Sequence, residues 1–157
     1  MNPSKLKSMV NNKIQNKTLN VVAIVFILSY ASCISIASFD QYAYAQTTSV
    51  KVDGLNIMNL AKDDFSKHQE SVREYQIKLQ KVYEYEKNRP KNEITIKLWD
   101  KLLDPNGHLL GGFLIRWEKE KKLSETFIIE EKKLVDQAFD QIAGLESKKI
   151  KSSDIPE

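Results

Sequence analysis

Asp64 and His68 are four residues apart, so any helix containing them carries both on one face, and such a pair can offer two ligands to a metal ion. A complete site needs further ligands. The only other histidine is His108, and no H-x-x-x-H or E-x-x-H pair accompanies either one. His68 also falls on an apolar stripe, where a lone polar residue commonly sets helix register. Asp64 and His68 are therefore the metal candidates, the register role is the preferred reading, and no cofactor is expected.

The run "DPNGH" (104–108) invites comparison with a calcium loop, in which oxygen ligands alternate and a bidentate glutamate closes the set. Here His108 takes a ligand position, Leu109 the position that needs glycine, and Ile115 the position of the glutamate. The comparison fails, and the segment reads as a type I turn, with Asp at its first place, Pro at the second and Gly at the fourth. Catalytic patterns are equally thin: there is no serine elbow, no phosphate-cradling glycine loop and no cysteine–histidine pair beyond residue 45. An enzyme is not expected.

Tyr75, Tyr83 and Tyr85 lie near Arg73 and Arg89. Aromatic and guanidinium groups are enriched where proteins meet partners. Tyr75 belongs to the apolar stripe, which leaves Arg73, Tyr83, Tyr85 and Arg89 as a candidate partner surface.

The charge of the 157-residue chain is uneven. It carries 24 basic and 21 acidic residues. Four lysines (Lys5, Lys7, Lys13, Lys17) and a single acid (Asp40) precede residue 46, so the remainder is neutral. A neutral body with interspersed signs has no electrostatic footprint for a phosphate backbone, and nucleic acid is not an expected partner.

Between those lysines and residue 39 runs an uncharged stretch, "LNVVAIVFILSYASCISIAS" (19–38), which ends near the small-residue pair Ala43 and Ala45. Basic start, apolar middle and small-residue end resemble a general secretory signal. Cleavage is expected after Ala45, leaving Gln46 as the first mature residue, because shallow peptidase pockets accept small side chains at alternate positions. The absence of an Arg-Arg pair favours the general export route. Met9 offers an alternative start. The rival reading keeps 19–38 as an anchor, since twenty helical residues cover about 30 Å, the thickness of the hydrocarbon core. Either way residues 46–157 are expected outside the cytoplasm, secreted or on the outer face of the membrane. Cys33 is the only cysteine, so no internal disulfide can form. A lipid on Cys33 suits Ala31 and Ser32 but not Tyr30 or the apolar "ISIAS" that follows.

The elements that must position these residues read as helices. After a linker over 46–53, Met58, Ala61, Phe65, His68, Val72, Tyr75, Leu79 and Val82 recur at spacings of 3 and 4. That heptad-like seam predicts one helix over 55–88, about 50 Å long, ended by Pro90. Asp63 with Lys67 and Glu74 with Lys78 are spaced for ion pairs on its flanks. Further helices are expected near 92–103, 108–122 and 125–148, the last two either separate or continuous, with Trp99 and Trp117 packed together across the DPNG turn. A frayed tail covers 149–157.

The expected fold is thus all-α, a bundle of three to four helices over 54–148 with one long N-terminal helix. The alternative is α+β, with strands at 94–99, 113–117 and 125–130 forming a small antiparallel meander between two helices. The expected role is that of an exported, non-enzymatic helical interaction or structural protein, with a protein partner or a second copy held by the 58–82 seam. The alternatives are a small-molecule- or metal-binding bundle and a membrane-tethered scaffold retaining 19–38.

Overall fold

A computed structural model describes residues 37–151 and Asp154. The leader before residue 37, with Cys33, lies outside the described residues. Five helices follow one another: α1 (Gln41–Asn59), α2 (Gln69–Lys87), α3 (Glu93–Leu103), α4 (Leu110–Glu120) and α5 (Glu125–Glu146). Described residues include no strand; the segments 94–99, 113–117 and 125–130 lie in α3, α4 and α5, so the meander alternative gives way to an all-helical bundle. No described helix is long and apolar enough to cross a membrane.

The 46–53 linker is corrected to the middle of α1. That helix starts five residues before Gln46, where Asp40, in extended conformation, accepts a hydrogen bond from the Ala43 amide at 3.0 Å and so satisfies one of the open N–H groups of the first turn. Ala43, Thr47, Val50, Gly54 and Met58 form its buried stripe. Gly54 is required by a close approach: a Cβ there would stand 2.2 Å from the Tyr75 hydroxyl, which donates to the Val50 carbonyl at 2.9 Å.

The single helix over 55–88 is likewise corrected to two helices with a corner between them. Two tight turns, Leu60–Lys62 and Phe65–Lys67, replace its middle, and Asp63 and Asp64 are both extended. Two causes combine. Asp64 caps its own turn by accepting from the Ser66 amide at 3.0 Å. The corner's backbone is then satisfied by the distant α4–α5 connection: Leu123 N donates to Ala61 O and Phe65 N to Lys121 O, each at 2.9 Å. Lys121, at a positive φ of 69°, ends α4, its amide donating to the Trp117 carbonyl. Helices α4 and α5 are therefore separate, and Ser124 caps α5 through the Phe127 amide.

The seam's apolar residues are all buried, but inside this molecule. Met58 and Ala61 reach the core from α1 and the corner, Phe65 from the corner, and Val72, Tyr75, Leu79 and Val82 from α2. The helix α1 packs chiefly against α5 and α2, and α3 against α5. The tryptophans do not pair as expected across their turn. Trp99 meets Phe139 edge-on at 5.8 Å between centroids, and Trp117 meets Phe65 edge-on at 5.2 Å while its Nε1 donates to the Asp63 carbonyl. Surface ion pairs also differ in partner: Lys78 reaches across to Asp53 on α1 at 3.2 Å, and Lys51 bridges Asp136 and Asp140 on α5.

Candidate functional site

Two places on the described bundle concentrate polar chemistry or open apolar surface: a charged pole where α2 ends, and a groove beside α2.

The pole is built on a continuation of the seam. One step of four beyond Val82 is Glu86, which turns inward and has no exposed surface. From α5 the corresponding inward position is Glu146, 3 % exposed. Arg89, just past the helix end, joins them: its Nη1 donates to Glu86 Oε2 at 2.7 Å and to Glu146 Oε2 at 2.6 Å. Its Nη2 donates to the Ser38 carbonyl at 2.9 Å, and its Nε stands 3.7 Å from Asp40 Oδ2. Asn92 Nδ2 adds donations to the Glu86 carboxylate (2.7 Å) and carbonyl (2.9 Å). Tyr85 donates to Asp40 at 2.7 Å, and its ring meets Tyr42 at 4.8 Å.

The electrostatics follow from this crowding. Burial, and then the neighbouring Glu86, push the Glu146 carboxyl up, only partly offset by Arg89. Asp40, at the rim, moves the other way: the Tyr85 hydroxyl and the Ala43 amide bond its ionised form and hold it below the usual carboxylate range. Three carboxylates thus face one guanidinium. Glu86 Oε1 and Asn92 Oδ1 are buried with no donor among the described residues. The pole ties the ends of α2 and α5 to the segment entering α1.

The groove lies between α2 and the α3–α4 corner. Leu79, Leu103, Leu110, Leu114 and Ile115 line about 250 Å³, with Gln76 and Gln80 on its wall. Tyr83 stands at one end, its hydroxyl bonded to Asp100 and its pKa pushed up to about 12 by that bond. A second depression sharing Gln76, Leu114 and Ile115 extends it toward Arg73 and Glu118.

The expected site residues separate accordingly. Tyr85 and Arg89 meet at the pole through Asp40. Tyr83 and Arg73 belong to the groove and its extension, and Arg73 pairs with Glu70 at 3.0 Å. The metal candidates are not brought together: the Asp64 carboxylate bonds Ser66, whereas His68 lies 3.5 Å from Asp63 and tilts against Trp117 at 5.9 Å. Among the described residues no group of three or more histidine, cysteine or carboxylate side chains is placed to hold a metal ion. Ala43, Ala45 and Gln46, the expected cleavage residues, stand inside α1, with Ala43 wholly buried and Ala45 exposed.

Sequence reasoning missed Asp40, Glu86, Asn92 and Glu146. Glu86 and Glu146 had a signal, since each is a charged residue at an apolar-phase position, seven after Leu79 and seven after Phe139. Compared with family models, curated proteins and solved structures, the chain matches none.

Proposed function

We propose that this chain is an exported or cell-surface, non-enzymatic helical interaction domain whose contact surface is the groove beside α2. The observation that carries the reading is the groove itself: an apolar depression between α2 and the α3–α4 corner, floored by the buried Leu79, Leu110 and Leu114 and edged by the exposed Ile115. Because the 58–82 seam is spent on the domain's own core, partner binding is assigned to this adjacent face of α2 and not to the seam. Ile115, 47 % exposed, is its accessible apolar centre, and glutamines and Tyr83 supply a polar border.

A photo-crosslinking side chain at Ile115, in the full chain in its native host, tests this. An adduct at Ile115, with none from Val52 on α1, is expected; its mass tells a second copy from a different protein. Equal labelling at both positions, or none at either, sinks the reading. Protease treatment of intact cells, followed by membrane and soluble fractionation, tests export and separates a secreted domain from a scaffold tethered by 19–38.

The small-molecule alternative draws on the same groove, whose volume approaches that of small ligand pockets. Native mass spectrometry of the recovered protein distinguishes it: a stoichiometric low-mass adduct lost on Leu114→Glu substitution belongs to that reading alone.

A further inference from the structure

The stretch that patterning assigns to the end of a leader is built into the folded domain. Ala43 has no exposed surface. The Ser38 carbonyl accepts from Arg89, Asp40 caps α1 and accepts from Tyr85, and Tyr42 packs on the Tyr85 ring. A chain beginning at Gln46 loses every one of these contacts. It starts inside α1, lacks that helix's cap, and opens the Arg89–Glu86–Glu146 cluster on the side that Ser38 and Asp40 cover.

We propose that residues 38–45 belong to the mature domain and that the export cut falls between Ala37 and Ser38. This rests on reading the chain as exported. Three observations converge on that bond. Ser35 and Ala37 are small residues at alternate positions, the same requirement that Ala43 and Ala45 meet. The bond also lies closer to the membrane-inserting run: Ala37 is nine positions beyond Leu28, the end of "VVAIVFIL", against seventeen for Ala45. A peptidase working at the membrane surface reaches the nearer bond first.

The third observation is charge. Hydrolysis adds one water across the Ala37–Ser38 amide. The C–N bond breaks, the carboxylate stays on Ala37, and the amine of Ser38 becomes an ammonium. That ammonium appears on the residue whose carbonyl accepts from Arg89, beside a cluster in which Asp40, Glu86 and Glu146 face a single guanidinium. The cut therefore supplies a second cation where negative charge is in excess. A cut at Ala45 places its ammonium a helical turn and more beyond the cluster and discards Asp40.

The test is N-terminal sequencing and intact mass of the native protein from the extracytoplasmic pool. A chain beginning at Ser38 is expected. One beginning at Gln46 overturns the proposal and leaves export standing, and so does a chain kept whole in that pool. A whole chain found only in the cytoplasm removes the export reading, and the proposal with it. Two variants of the full chain sharpen the result without depending on folding, because cleavage acts on the extended chain. Ala37→Leu is expected to accumulate uncut precursor, and Ala45→Leu, at an exposed position, to leave the Ser38 terminus unchanged. The reverse pattern overturns the assignment.

Discussion

Around Trp99 and Phe139 the bundle buries ring against ring, and around Arg89 it buries carboxylates against a guanidinium. Both regions bury side chains away from water, Trp99 and Phe139 in one and Glu86 and Glu146 in the other, yet they respond to damage by different rules. The apolar centre is stabilised by the area it removes from water and by dense packing, so what matters there is volume. At the pole, desolvating Glu86 and Glu146 opposes folding, and the contacts to Arg89 and Asn92 offset that cost only while all partners are present. The first region makes the domain stable. The second contributes little net stability when intact, but it fixes how the segment from Ser38 to Asp40 enters α1.

The comparison is most easily broken by paired substitutions in each region. Phe139→Ala should cost about 3–5 kcal/mol in urea unfolding, since it removes a fully buried ring that meets Trp99. Phe139→Leu should recover most of the loss, because volume is what the site needs. Arg89→Ala should cost a similar amount, about 3–5 kcal/mol, by leaving two buried carboxylates unpaired. Here Arg89→Met alone should not help, whereas Arg89→Met with Glu86→Gln and Glu146→Gln should return close to the parent. If the triple variant is no more stable than Arg89→Ala, the pole is a packing feature and the distinction fails.

Smaller effects separate the two helix caps. Ser124 and Asp40 each cap a helix through one amide, those of Phe127 and Ala43. Ser124→Ala should cost about 1 kcal/mol, the ordinary value of an N-cap. Asp40→Ala should cost more, since Tyr85 and Arg89 lose a partner as well. Thermal melts showing equal losses would mean that Asp40 caps α1 and does nothing for the pole.

These pairs also show what can be read from residue order. Helical class and the inward seam are legible because a 3–4 spacing survives from Met58 to Val82, and the bounds of α3, α4 and α5 fall within two residues of expectation. The corner at 60–68 is hidden for the same reason: Ala61 and Phe65 stay in phase across it, and what breaks the helix is hydrogen bonding from residues 121–123, sixty positions away. The start of α1 is hidden because "QYAYAQTT" carries the small and β-branched residues of a leader's end, while its helicity depends on the Asp40 cap and on packing against α2 and α5. The two buried glutamates were visible as charges in apolar phase. Their common arginine was not, since nothing local relates Arg89 to Glu146 across 57 positions. The groove left no local trace either, because it is made by elements that meet only in the folded chain.

The smallest expected effect removes only protons, and it divides the pole within itself. Glu146 holds its proton more tightly when folded, through burial and the charge of Glu86. Between the ordinary glutamate range, about pH 4.3, and its raised value, the folded state therefore binds more protons than the unfolded one, and stability falls as pH rises through that window. Asp40 has the opposite sign. Tyr85, the Ala43 amide and Arg89 favour its ionised form, so it contributes stability above its ordinary range that is lost as pH falls toward its lowered value. Asp40→Asn should flatten the acid side of the stability profile, and Glu146→Gln the descent above about pH 4.3. Urea midpoints measured across that range decide the matter. Should Glu146→Gln leave the upper descent unchanged, the proton is not held at Glu146.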